Sequence, residues 1–120
     1  MTRYAVMLNI ETDEIGRMAN GLKYAIELDD HGHEVEVYLD GTTTAWPGVL
    51  QENPSHVIHK YFDVLQERDL IKGACGYCAY VFDGVEGCRA AGIELIGDEE
   101  NHGPNVGALV DKGYELLTIG

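Results

Sequence analysis

The hydrophobic positions of this chain switch between two spacings. Short apolar or period-two runs alternate with segments whose apolar residues recur every three or four positions. Tyr4 to Asn9 (YAVMLN) is a compact apolar run and predicts a buried strand. From Asp13 to about Asp30, the residues Ile15, Met18, Ala19, Leu22, Ala25 and Ile26 keep a helical spacing. Acids crowd the start of that segment, where the positive end of a helix dipole favours them, and Gly32 is a natural stop. Glu34 to Leu39 (EVEVYL) alternates, then ends apolar, and predicts a second strand. Asp40 to Glu52, with Gly41, three threonines, Trp46 and Pro47, reads as a loop. Asn53 and Pro54 suit the N-cap and first position of a helix running to about Asp69, with Val57, Ile58, Tyr61, Phe62 and Leu65 on one face. Leu70 to Cys75 predicts a third strand. A short helix follows from near Tyr77, pauses at Asp83-Gly84, and reaches Ala91. Ile93 to Ile96 predicts a fourth strand, Gly103-Pro104 to Lys112 a last helix, and Tyr114 to Ile119 a fifth strand.

Alternation of this kind predicts an α/β fold with a parallel sheet covered by helices on both faces. Right-handed crossovers restrict its topology, and ligands in such folds bind at the carboxyl ends of the strands. Three segments lie there: the turn after Asn9, the Asp40 to Gly48 segment, and Cys75-Gly76-Tyr77-Cys78. At 120 residues the chain has room for a single domain, spanning 1–120. There is no dinucleotide or phosphate-loop fingerprint.

Charge narrows the classes of partner. Twenty-one acids against 8 Lys plus Arg give a formal net charge of -13. Phosphate backbones and anionic membranes would be repelled, which argues against nucleic-acid and membrane binding. No apolar run approaches the roughly 20 residues that span a bilayer, and the N-terminus has no signal-peptide pattern, so a cytoplasmic location is expected. The acid-rich, lysine-poor composition fits a protein adapted to a salty cytoplasm.

Candidate chemistry centres on the cysteines. Cys75, Cys78 and Cys88 are an odd number with no secretion signal, which argues against a disulfide framework. Cys75 falls where a strand ends and a helix begins, and unpaired N–H groups there favour a thiolate over a thiol. Gly76 leaves the approach to it free of a side chain, and the turn is expected to be exposed. The C-x-x-C spacing fits a dithiol redox pair, half of a zinc site, or one active thiol beside an incidental neighbour. A structural zinc site would need further donors from Cys88, His56, His59 or His102. His56 and His59 read as solvated surface residues, His31 and His33 as exposed turn residues, and Cys88 as core packing. Trp46 fits either a cover over the cysteine turn or a subunit contact.

Asp69-Leu-Ile-Lys-Gly-Ala-Cys75-Gly-Tyr-Cys78-Ala resembles the DsrE/DsrF-like signature, in which a strand ends in a cysteine often followed by Gly-x-Cys-Ala. The first strand and helix up to Gly32-His33, the stretch from Val35 through Asp40-Gly41, and the closing helix and strand from Gly103 are similar too. The resemblance implies a three-layer α/β/α fold with a five-stranded parallel sheet, and a homo-trimer or homo-hexamer. It further implies a sulfur-relay protein that carries sulfur as a persulfide on Cys75 between donor and acceptor proteins. Gly76, Tyr77, Asp40 and Gly41 would line the site. Such carriage needs no cofactor, no metal and no general base, because the thiolate itself is the nucleophile. Cys78 departs from a single-thiol carrier and leaves room for a dithiol cycle.

A net charge of this size makes stability depend on screening. The Debye length falls to about 3 Å near 1 M salt, so mutual repulsion among the acids is then largely removed. Denaturation in rising KCl should show a midpoint that climbs steeply between dilute buffer and about 1 M. A midpoint independent of salt would contradict the halophilic reading.

Overall fold

A computed structural model describes residues 1–120. Five strands, β1 (Arg3–Leu8), β2 (Glu34–Leu39), β3 (Ile71–Cys75), β4 (Leu95–Ile96) and β5 (Tyr114–Ile119), form one sheet. Every pairing is parallel and the spatial order is β4-β3-β2-β1-β5. The helices are α1 (Ile15–Asp30), α2 (Trp46–Glu52), α3 (His59–Glu67), α4 (Gly76–Val81), α5 (Val85–Ala90) and α6 (Val106–Asp111). No helix is long and apolar enough to cross a membrane.

The strand order explains how the helices divide. Three successive crossovers step in one direction from β1 to β4, and a right-handed rule places all of them on one face. The return from β4 to β5 steps the other way and places its helix on the opposite face. Packing agrees. A 19-residue core joins Val6, Leu8, Val37 and Leu39 of the sheet to residues of α1, α2, α3 and α5. The opposite face holds a cluster of five, Ala5, Met7, Tyr38, Leu109 and Tyr114, to which α6 alone contributes a helical residue. Next to it, Glu36 accepts from the hydroxyls of Tyr38 and Tyr114. Burial beside that carboxylate pushes the Tyr38 hydroxyl above its usual range.

Several expected boundaries move, each for a local reason. The segment from Asp40 to Glu52 is not a loop: Gly41–Ala45 forms a 3-10 turn that runs into α2, with Pro47 in the first turn. Thr43 and Thr44 are fully buried there. Thr43 Oγ1 donates to Leu8 O at 2.8 Å and accepts from Ile10 N at 2.6 Å, tying this segment to the end of β1. Trp46 is neither a cover over the cysteine turn nor placed for a subunit contact. It is fully buried, and its indole N–H donates to Ile10 O at 3.1 Å. Asn53 closes α2 instead of opening the next helix, and α3 begins only at His59. Ile58 is buried as expected, but Val57 is 59% exposed because turns fill 53–58. α1 starts at Ile15, so Asp13 and Glu14 precede its first turn, and α6 starts at Val106 with Asn105 as its cap. β4 keeps two residues because it is an edge strand paired only with Ala74 and Cys75. The helical break at Asp83 and Gly84 is where it was expected.

His56 and His59 also depart from the solvated reading. His56 stacks edge-on against Trp46 at 5.6 Å. His59 lies within hydrogen-bond reach of Asp63 through Nδ1 and of Leu50 O through Nε2, which holds the imidazole above its ordinary titration range. His31 is exposed, whereas His33 is half-buried, with Nδ1 accepting from Thr2 N–H.

Thr43→Val keeps the shape of the buried side chain but strands the Ile10 N–H and leaves the Leu8 carbonyl with the Asp40 N–H as its remaining donor. It should cost about 1–3 kcal/mol in chemical denaturation at an unchanged slope. A midpoint equal to the wild type would show that Thr43 is not the tie between these segments.

Candidate functional site

Strand register brings the site together. Leu39 pairs with Ala74, so Asp40 and Cys75 come next on adjacent strands. Cys75 pairs with Ile96, so Gly76 and Gly97 come next on the other side. A register shift between Val37 and Tyr38 leaves Lys72 as an extra residue in β3. That bulge lets Ile71 and Ala74, three positions apart, both enter the main core.

Cys75 ends β3 and caps α4, and its Sγ accepts from Cys78 N–H at 3.4 Å. The Cys78 thiol faces Asp40 Oδ1 at 3.6 Å, and that oxygen also accepts from Gly41 N–H at 3.0 Å. Gly41 has φ +53, and a Cβ there would collide with the Asn9 side-chain amide, so the turn under Asp40 needs glycine. Gly76 serves a different purpose from the one expected. A Cβ at Gly76 would lie 2.7 Å from Gly97 O and 3.1 Å from Asp98 N. The missing side chain admits the backbone after β4, not a ligand.

That backbone closes the site. Asp98 Oδ1 accepts from Glu100 N, Asn101 N and Asn101 Nδ2, each at 2.9 Å, and these bonds hold its carboxyl below the usual range. The tight turn delivers His102, whose ring stacks on Tyr77 with centroids 4.2 Å apart. Its Nδ1 lies 3.4 Å from Cys75 Sγ and 3.7 Å from Cys78 Sγ. Cys75 is fully buried and Cys78 only 6% exposed, so the turn is covered, whereas His102 itself is exposed.

All six expected site residues, Cys75, Cys78, Gly76, Tyr77, Asp40 and Gly41, therefore meet in one place. His102 joins them, although the sequence offered it only as one of several spare donors. Nothing local marks it, because it is 27 residues from Cys75 in a segment without periodicity. Cys88 stands apart: its S–H donates to Thr44 O at 3.4 Å inside the main core. His56 and His59 are engaged elsewhere, as described above.

The thiols differ in chemistry. Burial first, then the neighbouring Cys75 and the Asp40 charge, push the Cys78 thiol up to about 12, against a smaller opposing pull from the Gly41 N–H. Cys78 is thus an S–H donor at neutral pH. Burial alone pushes Cys88 up to about 11. No Lys or Arg side chain hydrogen-bonds Cys75, Cys78 or Asp40. The polar partners of Cys75 Sγ are a backbone N–H and an imidazole.

Comparison with family models, with curated proteins and with solved structures finds no match to this chain. The site is accordingly read from its own geometry.

Because Cys78 and Cys88 hold their protons more tightly when folded, rising pH favours the unfolded chain. Stability should be level below the ordinary thiol value of 9.0 and decline as pH rises toward 11 and 12. Denaturation between about pH 8 and 10.5 should show the decline, with a shallower slope in Cys88→Ala whatever that variant loses in absolute stability. Equal slopes in the two proteins would contradict the burial of Cys88 as a neutral thiol.

Proposed function

We propose that the protein carries sulfur as a persulfide on Cys75. The observation that supports this most is the environment of Cys75 Sγ, which meets the Cys78 N–H and His102 Nδ1, each at 3.4 Å. An N–H donor steadies negative charge on the sulfur, and the imidazole can take the thiol proton. His102 thereby supplies a base that the sequence reading did not require.

The transfer balances without an oxidant. Cys75 sulfur attacks the outer sulfur of a donor persulfide. The donor S–S bond breaks, the donor leaves as a thiol, and Cys75 becomes Cys75–S–SH. An acceptor thiolate reverses the step. Alternatively, the Cys78 thiol attacks the inner sulfur of Cys75–S–SH, giving a Cys75–Cys78 disulfide and releasing hydrogen sulfide. The tightly held Cys78 proton makes that second route slow, so the loaded state persists long enough to meet an acceptor.

The Cys75 thiol is fully buried, so a partner would reach it past His102, the exposed side chain that lies against its sulfur. Tyr80, Val81 and Phe82 lie exposed on and just after α4, and form an apolar rim suited to a donor or acceptor protein. The resemblance to DsrE/DsrF-like proteins points the same way and adds a homo-trimer or homo-hexamer, for which exposed Val106, Val110 and Leu116 supply apolar surface.

Incubation with a cysteine desulfurase and its substrate, followed by intact mass spectrometry, tests the reading. The wild type should gain one sulfur atom, Cys75→Ser should gain none, and Cys88→Ala should load normally. Cys78→Ser should load and hold its sulfur longer. Loading of Cys75→Ser at the wild-type rate would overturn the proposal.

A further inference from the structure

We infer that Cys75, Cys78 and His102 form a binding site for one thiophilic metal ion of the zinc type, with a fourth position left open beside Asp40. This inference does not rest on the sulfur reading, although it concerns the same atoms.

The donor geometry carries it. Three ligand atoms, two Sγ and one imidazole Nδ1, all lie within 4.8 Å of one another. The two sulfur-to-nitrogen separations are 3.4 Å and 3.7 Å. A tetrahedral ion with bonds of about 2.3 Å to sulfur and about 2.0–2.1 Å to nitrogen requires an S···N edge of about 3.6 Å. Both edges fall within about 0.2 Å of that value. The third edge, sulfur to sulfur, is within 4.8 Å, against about 3.8 Å for the same tetrahedral ion.

The surroundings fit the same occupant. Cys78 N–H donates to Cys75 Sγ, and a thiolate ligand needs such a donor to offset its charge. Asp40 Oδ1, 3.6 Å from Cys78 Sγ, adds a negative group, and no lysine or arginine hydrogen-bonds the cluster. A divalent cation would offset the two thiolates that form as it displaces the thiol protons, beside a carboxylate that no cationic side chain pairs. The ring of His102 is held by its stack on Tyr77 and by the turn built on Asp98, so its Nδ1 is presented toward the sulfurs.

Two sulfurs and one nitrogen suit zinc or monovalent copper and disfavour magnesium or calcium, which take oxygen ligands. With three protein donors, the fourth position is free for water or an incoming thiolate, as in catalytic zinc sites. Binding is not a redox step. The ion takes the two sulfurs as thiolates and the imidazole as a neutral ligand, and the thiol protons leave to solvent. The metal and a persulfide on Cys75 exclude one another, so metal loading would block sulfur loading.

Titration of the reduced full-length protein with Zn2+ tests this, with Co2+ as the spectroscopic probe. The expected result is one ion per chain, release of at least one proton, and a cobalt–thiolate charge-transfer band. Cys75→Ser, Cys78→Ser and His102→Ala should each weaken binding by at least about tenfold, while Cys88→Ser should bind like the wild type. Circular dichroism distinguishes loss of ligand from loss of fold. Absence of stoichiometric binding, or binding unchanged by both Cys75→Ser and His102→Ala, would overturn the inference. Sulfur loading of the metal-free protein is measured separately. A protein that loads sulfur but binds no zinc refutes only the metal site. One that binds zinc but never loads sulfur refutes only carriage on Cys75.

Discussion

The close approach of the Gly76 α-carbon to the Gly97–Asp98 backbone is the constraint on which the rest of the site depends. A parallel sheet aligns the ends of β2, β3 and β4, so the residues just beyond them become neighbours. Only a residue without a Cβ lets the backbone after β4 fold down onto the cysteine turn. Once it does, the turn built on Asp98 sets His102 against Tyr77 and against both sulfurs. The thiols are thereby removed from water and given an imidazole, which an exposed turn would not do.

The same register explains why the two thiols behave differently. Cys75 ends its strand with its sulfur turned toward the Cys78 N–H and the imidazole. Cys78, one turn along α4, faces the carboxylate of Asp40 and is held as a neutral thiol. Two chemically similar residues three positions apart thus sit in different surroundings, which in the proposed function makes one the nucleophile and the other its proton-holding neighbour. On the two proposals, metal and sulfur would compete for this arrangement, because both use Cys75 as a thiolate.

Much of the fold was legible in the amino-acid order. Strands β1, β2 and β3 and helix α1 follow directly from apolar spacing, because each buries side chains in the main core, and β5 follows from the same spacing although only its half-buried Leu117 and Ile119 pack against that core. The position of Cys75 at a strand end followed from the same pattern. What was hidden depended on contacts between distant segments. Residues 41–52 read as a loop because Gly41, three threonines and Pro47 are poor helix formers, yet Thr43, Trp46 and Leu50 are buried against β1 and the core. His102 was one of three histidines, with His56 and His59, that the sequence offered as donors, until the strand register placed its turn over Gly76.

The central claim is that His102 and the two thiols form one chemical unit. The imidazole nitrogen resonances of His102 in the reduced protein test it most directly, compared between the wild type and Cys75→Ser, Cys78→Ser and Gly76→Ala. Nδ1 should carry the signature of a nitrogen engaged by a thiol, and this signature should shift in both cysteine variants. In Gly76→Ala it should collapse to that of a free, solvated histidine. A wild-type His102 whose Nδ1 resonance already matches that of a free, solvated histidine, and that no cysteine substitution alters, would contradict the claim.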